Sequence, residues 1–237
     1  MSSKKEILEY LKKNQCDNLN IINFIEGYPI HHFERVGGSV FIKGTSDRKW
    51  IYISSKCKNE LQLIKGKLTK EDKCFAIIED WMLPILTDGA KVKWKLSTTR
   101  LVLTRDVDLP KSICKTENLT LEDSNFIYDN SHYKEFLSID YIKERITNGI
   151  SSCVRIKGNP VAWGMTQDDG AIGFLHVLPQ HRKKGYAKAV TLDLIKKVKS
   201  AQKIPFVHIE ESNENSMKLA MGLGFQKDRM VHWLEIE

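Results

Sequence analysis

The residues best suited to chemistry in this sequence are cations grouped around a glycine. Gly185 is followed by Tyr186 and Ala187, and an apolar pattern with helical spacing runs from Ala187 to Val198. The first N–H groups of a helix have no partner within it and lie at the positive end of its dipole, so they bind anions. The cations around this helix start are Arg182, Lys183, Lys184 and Lys188. The segment therefore predicts a phosphate site, suited to a pyrophosphate and a further phosphate on a ribose.

Taken alone, a basic loop before a helix is as typical of a solvated surface as of a phosphate site. The neighbouring elements favour the phosphate site. A strand, AIGFLHV (171–177), is predicted directly before the loop, and a second strand, PFVHIE (205–210), follows the helix. The loop would then join the end of a strand to the start of a helix, where backbone N–H groups meet phosphates in other folds.

Further elements upstream complete an α/β pattern. SCVRIKG and PVAWGMT are predicted as antiparallel strands with Asn159 in their turn, and DDG (168–170) as the turn before the next strand. A helix with an acidic start is predicted from residue 121, and YIKERITNGI as a second helix. We expect Gly149 to end that second helix in the left-handed conformation.

The N-terminal region is predicted as a separate α/β region. It begins with amphipathic helical patterns, continues with a hairpin of SVFIKG (39–44) and KWIYIS (49–54), and has a helix near residues 60–65. CFAII (74–78) is a short strand, EDWMLPIL a helix with Pro84 near its first turn, and KVKWKLSTTRLVLT a long alternating strand pair. The segment 106–115 is the best candidate for a linker. The predicted domains are 1–110 and 111–237.

Composition limits the class of protein. The 237 residues carry a net charge of +7, but lysines are mixed with acids along the whole chain and no nucleic-acid-binding motif is visible, so nucleic acid is an unlikely partner. No apolar run is long enough for a membrane span or an export signal, which predicts a cytoplasmic protein without a membrane partner. The five cysteines are scattered and never form a CxxC pair, so neither disulfides nor a metal site is predicted.

The basic segment and the residues C-terminal to it resemble the GNAT superfamily of N-acetyltransferases. Arg182-Lys-Lys-Gly185-Tyr-Ala187 is similar to the family's R/Q-x-x-G-x-G/A motif, which wraps the pyrophosphate of acetyl-CoA. Asn213 followed by Ser216 resembles the family's N-x-x-A/S signature, and LGF (223–225) matches its LGF. The resemblance covers the chain from about residue 116 onward. The runs NPVAW (159–163) and LPQHR (178–182) also look like the branch that contains glycine N-acyltransferases.

The resemblance implies a fold, a cosubstrate and a reaction. The fold would be a GNAT fold, with a mixed, mostly antiparallel central sheet flanked by helices. Acetyl-CoA would donate its acyl group to an amine that attacks the thioester directly, without a metal or a covalent intermediate. Backbone groups of the strand at Leu175 and Val177 would bind the pantetheine arm. The full set implied for the cosubstrate is Leu175, His176, Val177, Arg182, Lys183, Lys184, Gly185, Tyr186, Ala187, Lys188, Asn213 and Ser216.

The resemblance leaves the proton-transfer groups open. Several relatives carry a carboxylate base at the position of Ala171, where this chain has none. His208 stands five residues before Asn213, where some family members carry a glutamate base, and an ordinary histidine titrates near neutral pH. Glu210 is the second candidate, although a packed histidine and a solvated acid are equally typical of a strand end. The family's general-acid tyrosine position is Ala220. A water, or Ser216 through a water, would then protonate the leaving thiolate, or a thiol of pKa about 8.5 leaves without a general acid.

Two functions remain compatible with these residues. The first is an N-acyltransferase acting on a primary amine, and the alternative is a non-catalytic acyl-CoA sensor, since the carboxylate and the tyrosine are missing. The N-terminal region is predicted either as a degenerate GNAT-like half or as a module for substrate binding or homodimer formation. Acids at 168, 169, 210 and 211 either line the mouth of a site for a cationic acceptor or are ordinary turn residues.

Overall fold

The computed structural model describes residues 3–104, 107–131, 134 and 137–237. The described residues contain ten β-strands and eight α-helices. They form two compact units. Unit 1 comprises Met1–Arg100, Ile209–Ser212 and Lys227–Glu237, and unit 2 comprises Leu101–His208 and Asn213–Gln226.

Unit 1 is built on a six-strand order, β1-β2-β3-β4-β10-β5. Strands β1, β2 and β3 pair antiparallel, β3 and β4 pair parallel, and β10 pairs antiparallel with β4. Helix α3 connects the parallel pair, as such a pair requires a crossover. The elements are α1 (Lys4–Lys12), α2 (Leu19–Gly27), β1 (Ile30–Val36), β2 (Ser39–Thr45), β3 (Lys49–Ser54), α3 (Lys58–Lys65), β4 (Cys74–Ile78), α4 (Leu83–Leu86), β5 (Val92–Val102) and β10 (Gln226–Ile236).

Local sequence explains much of unit 1. Ser3 and Glu6 form a capping box at the start of α1, and Ile7 and Leu11, one helical turn apart, are its buried residues. The predicted hairpin of β2 and β3 is confirmed. Pro84 lies in the first turn of α4, where its missing N–H costs no hydrogen bond.

Unit 2 carries the basic segment. Its strand order is β9-β8-β7-β6; β6 pairs antiparallel with β7, β7 antiparallel with β8, and β8 parallel with β9. Gly164 lets α7 pack closely on β7, because a Cβ atom there would stand 2.9 Å from the Leu194 side chain. The elements are α5 (Ser124–Asp129), α6 (Ile139–Asn148), β6 (Ser151–Ile156), β7 (Asn159–Thr166), β8 (Ile172–Val177), α7 (Tyr186–Ser200), β9 (Phe206–Ile209) and α8 (Glu214–Gly222).

The segment 107–116, which contains most of the predicted linker, is a surface connection within unit 2. Before it, the N–H of Leu103 donates to the carbonyl of Pro205 next to β9, and after it Glu117 bridges Cys153 on β6. The segment therefore leads from the β9 side of this sheet to its β6 edge. On the way, the side chain of Ile113 contacts Gly185. Asp106, the first residue of the predicted linker, and Arg105 before it lie outside the described residues.

Three local predictions were wrong. The run 91–104 holds one long strand, β5, and no strand pair, because no turn residue interrupts its alternation. Gly149 ends α6 in an extended conformation with φ −97°; glycine is needed because a Cβ atom would stand 2.5 Å from the carbonyl oxygen of Arg145. The turn between β6 and β7 is Lys157–Gly158, where φ is positive at both residues, and Asn159 already begins β7.

The predicted domains, 1–110 and 111–237, stay a prediction, and the two compact units have other bounds. Unit 1 ends and unit 2 begins within β5, at Arg100 and Leu101. The last strand, β10, belongs to unit 1 from Lys227 onward and lies between β4 and β5 in the sheet. Alternation marks β10 as a strand, but no local pattern indicates which neighbours it pairs with. The predicted fold class, a mixed and mostly antiparallel α/β arrangement flanked by helices, is confirmed. None of the helices in the described ranges combines the length and apolar character needed to cross a membrane.

Candidate functional site

Strands β8 and β9 are parallel neighbours that pair near their starts and then separate. Within the described residues their ladder consists of the pair Ile172 and Val207. Phe174 has φ +53°, and the β7–β8 register shifts beside it, from Trp163 opposite His176 to Met165 opposite Gly173. This extra residue in β8 is a β-bulge, which bends a strand. We therefore expect a cleft between the C-terminal ends of the two strands, beyond the pair of Ile172 and Val207.

The predicted residues Leu175, His176 and Val177 line this end of β8. Val177 pairs with Ala162 on β7, so β8 stays attached to β7 while it leaves β9. The ring of His176 stacks on Trp163 with centroids 4.7 Å apart, so it packs against the sheet. The carbonyl of Val177 accepts a hydrogen bond of 3.3 Å from Nε of Arg182.

The basic loop that follows β8 has the backbone of an anion site. After a 3₁₀ turn at Pro179–His181, Lys183 has φ +60° and Gly185 has φ +78°. Positive φ values in such loops are typical of the concave N–H arrangements, called nests, that bind anions. Gly185 is the N-cap of the 15-residue helix α7, and no side chain caps the helix. The N–H groups of Tyr186, Ala187 and Lys188 therefore have no partner within the helix.

Exposed cations surround this helix start. Among the residues that the structure describes, Arg182, Lys183, Lys184 and Lys188 form no salt bridge and are exposed. The half-buried ring of Tyr186 lies 6.4 Å from the ring of His181, so both rings pack in the loop. Positive charge and free N–H groups thus coincide at the open end of the β8–β9 cleft.

Asn213 and Ser216 lie at the start of α8. The side-chain oxygen of Asn213 accepts a hydrogen bond of 3.2 Å from the N–H of Ser216, and Asn213 is the N-cap of the helix. Helix capping therefore explains the three-residue spacing of these two residues. At the other end of α8, Ala220, Leu223 and Phe225 are buried and Gly224 has φ +94°. The LGF run is thus the turn that brings the chain from α8 into β10.

The two predicted base candidates occupy different surroundings. His208 lies on β9, and its side chain is 4% exposed. Glu210 lies one residue past the end of β9, partly exposed, in the segment Ile209–Ser212 that belongs to unit 1. The structure therefore places His208 alone within unit 2 with the basic loop.

A carboxylate that the sequence suggested only for an acidic mouth or a turn, that of Asp169, approaches His208. Oδ2 of Asp169 lies 3.5 Å from Nε2 of His208, and Oδ1 of Asp169 accepts a 3.0 Å hydrogen bond from the N–H of Ala171. The Asp169 side chain is 1% exposed, so it does not belong to an exposed acidic mouth. No sequence signal could have found it, because the second aspartate of a DDG turn is typical of turns in general.

Comparison with known proteins agrees with this geometry. Residues 149–234 match the family model described as FR47-like protein. A GCN5-related N-acetyltransferase from Kribbella flavida matches with a TM-score of 0.62 at 11% identity, over 93% of this chain and 94% of that one. The chain has the GNAT fold. The predicted resemblance of its C-terminal half to the GNAT superfamily is therefore confirmed.

Two further structures match the chain over most of its length. A Drosophila protein has a TM-score of 0.79 at 14% identity, covering 100% of this chain and 97% of its own. A tandem GNAT protein from the clavulanic acid biosynthesis pathway has a TM-score of 0.51 at 12% identity, covering 92% and 87%. At such identities the likeness establishes the GNAT fold alone. The finer resemblance to the glycine N-acyltransferase branch remains a prediction.

Proposed function

We propose that this chain is an N-acyltransferase that moves an acetyl group from acetyl-CoA to a primary amine. The observation that carries the proposal is the junction of β8 and α7. There an uncapped helix start, two positive φ angles and four exposed cations stand at the mouth of a cleft between separating strands. The FR47-like match and the GNAT fold support an acyltransferase.

The residues present fit acetyl-CoA. The N–H groups of Tyr186, Ala187 and Lys188 would hold the pyrophosphate, and the cations around them would neutralise it and the ribose phosphate. Gly185 allows this approach because it carries no side chain. The backbone of Leu175 and Val177 would bind the amides of the pantetheine arm. Arg182 would exchange its contact with the Val177 carbonyl for a phosphate, which leaves that carbonyl to accept a pantetheine N–H.

The proposed chemistry needs a positioned amine and a proton acceptor. The amine nitrogen attacks the thioester carbon, the carbon–sulfur bond breaks, and coenzyme A leaves as a thiolate. Backbone N–H groups beside the bulge at Phe174 would stabilise the negative oxygen of the intermediate. His208 would take the proton that the amine loses. Holding both reactants in place supplies a large part of the rate, so a chain with few catalytic side chains can still be an enzyme.

The protein offers no side-chain acid at the family's tyrosine position. Ala220 stands there and is 4% exposed. A thiol of ordinary pKa, about 8.5, leaves readily as the thiolate, so solvent protonation after departure is sufficient.

For unit 1 we propose a degenerate GNAT-like half. Its parallel strands β3 and β4, joined by α3, repeat the arrangement of β8, α7 and β9. However, the connection from β3 to α3 is the short run Ser55-Lys56-Cys57, which lacks the R-x-x-G-x-A pattern. The match to a tandem GNAT protein over 92% of the chain supports this proposal. We therefore expect one acetyl-CoA bound per chain.

The test measures turnover of acetyl-CoA with a panel of amines, amino acids and peptides. The loss of thioester absorbance monitors the reaction. Wild type should consume acetyl-CoA only when an acceptor is present, and calorimetry should show one bound cosubstrate per chain. His208→Ala should lose most turnover and keep its affinity for acetyl-CoA. Tight binding without turnover on any acceptor would instead indicate an acyl-CoA sensor, and absence of binding would refute the proposal.

A further inference from the structure

Asp169 and His208 form a buried carboxylate–imidazole pair that joins two elements of unit 2. Asp169 stands in the turn between β7 and β8, and His208 stands on β9. The distance from Oδ2 to Nε2 is 3.5 Å, and the two side chains are 1% and 4% exposed. The pair lies near the position where β8 and β9 are paired in the sheet, at Ile172 and Val207. It thus lies where the two strands are still paired.

The buried carboxylate of Asp169 has a different neighbour at each of its two oxygens. A carboxylate removed from water is costly unless it is compensated by hydrogen bonds or an opposite charge. Here Oδ1 of Asp169 accepts from the N–H of Ala171 at 3.0 Å, while Oδ2 faces the imidazole. The ring of Phe206 stands edge-on to His208, with centroids 5.7 Å apart. One carboxylate oxygen is therefore anchored by the backbone, and the other faces a ring nitrogen.

We propose that Asp169 is a positioning residue for His208. The inference rests on the proposed function, in which His208 accepts the proton of the attacking amine. A carboxylate beside Nε2 favours the tautomer that carries its hydrogen on Nε2, since that hydrogen can point at Oδ2. The lone pair then resides on Nδ1, which takes up the proton. Asp169 stays ionised throughout and stabilises the imidazolium, the role of the aspartate in catalytic triads.

The pair also accounts for the alanine at position 171. Position 171 has no carboxylate side chain. However, the carboxylate of Asp169, two residues earlier, accepts a hydrogen bond from the N–H of Ala171. In this chain the negative charge does not reach the amine itself. Under the proposed function this charge acts through His208 on β9, which is the residue that would touch the substrate.

The decisive variant is Asp169→Asn. The asparagine oxygen can still accept from the N–H of Ala171, so the turn should fold, while the group facing Nε2 loses its charge. We expect kcat to fall about 100-fold, as for other residues that orient a functional histidine, with KM for acetyl-CoA unchanged. Asp168→Asn, in the same turn, is the matched control: the asparagine oxygen can still accept from the N–H of Asp169, as Oδ1 of Asp168 does, so kcat should stay within about twofold.

Imidazole nitrogen NMR supplies a readout that does not depend on turnover. Wild type should show His208 as the Nε2–H tautomer, and Asp169→Asn should shift the tautomer population toward Nδ1–H. If the tautomer and kcat are both unchanged in Asp169→Asn, the inference is wrong and the pair is only structural. If His208→Ala retains full turnover, the base assignment in the proposed function fails first, and the two failures are thereby separated.

Discussion

Ile113, in the surface segment 107–116, lies against Gly185, the residue at which α7 begins. A side-chain carbon at position 185 would overlap Cδ1 of Ile113. Ile113 is nonetheless 69% exposed, so it contacts the loop from the solvent side and is not part of the core. Gly185 is therefore constrained twice, by its positive φ and by this neighbour, at the position where the proposed pyrophosphate site begins.

Gly185→Ala should weaken acetyl-CoA binding about tenfold, because a left-handed conformation costs a non-glycine residue about 1–2 kcal/mol. Relaxation of that strain would turn the N–H groups of the loop away from the ligand. Calorimetric titration with acetyl-CoA measures the effect. Gly158→Ala is the matched control, since Gly158 has φ +83° and open space around it, in a turn away from the loop. Equal losses of affinity in both variants would show that the change reflects general destabilisation.

The ion pair of Asp123 and Arg155 should make unit 2 sensitive to acid. Burial alone would raise the pKa of Asp123, but hydrogen bonds from Arg155 and Thr120 outweigh it and hold that pKa below its ordinary value. A depressed carboxyl pKa stabilises the fold above the pKa of the unfolded state, about 3.9, and this stability is lost as the pH falls further. Asp123→Asn should therefore lower the free energy of unfolding at pH 7 by about 2 kcal/mol. Urea titrations at several pH values test this, and the variant should lose less stability between about pH 5 and pH 2 than wild type does.

The thiols should differ sharply in their reaction with a thiol reagent. Burial raises the pKa of Cys153 to about 11, and its side chain is 0% exposed, whereas Cys16 is exposed. Only the thiolate reacts, so we expect rapid labelling at Cys16 and none at Cys153 until the protein unfolds. Cys16→Ser should abolish the fast phase, and Cys153→Ser should leave it intact. Fast labelling of native Cys153, detected by mass spectrometry, would contradict its burial.

Arg100 should be the most sensitive charged residue of unit 1. Its guanidinium is 1% exposed and bonds to Asp228, to the side chain of Asn20 and to two backbone carbonyls. Arg100→Met removes the Arg100 donors from these acceptors, although Arg229 still bonds to Asp228, and should cost about 1–3 kcal/mol of stability. Arg229→Met, whose side chain is 25% exposed, should cost about 1 kcal/mol, as more exposed pairs do. The double variant Arg100→Met, Asp228→Asn should cost less than the sum of its single changes in urea denaturation.

Sequence patterns predicted the elements of both units well where the signal was local. The hairpin of β2 and β3 has a polar turn between β-branched runs, and the start of α7 has a glycine before an apolar helical face. These features depend on a few residues that are neighbours in sequence, so they can be predicted from one sequence. The basic loop belongs to this class, since Gly185 takes the positive φ that its neighbours in sequence suggest, while its role as a phosphate site stays a prediction.

The features that sequence reasoning missed depend on contacts between distant residues. Asp169 becomes notable only because β9 brings His208 beside it, 39 positions later in the chain. Gly149 looks like a left-handed cap in sequence, but the approach of the Arg145 carbonyl and Thr166 explains it. Met217 and Met221 stand at helical spacing, a pattern typical of a core face, yet Met221 is 53% exposed. Helical spacing gives the face of a helix, and only tertiary packing decides whether that face is covered.

The place of β10 bears on the order in which the protein is made. This strand lies between β4 and β5 in unit 1, yet the ribosome synthesises it after the whole of unit 2. Domains usually fold in the order of their synthesis, N-terminal first. Here β4 and β5 lack their shared neighbour until more than a hundred later residues have emerged, so unit 1 can complete its sheet only after unit 2 has been made. Nascent chains that stall before residue 227 would expose the edges of these two strands, and such chains should depend on chaperones.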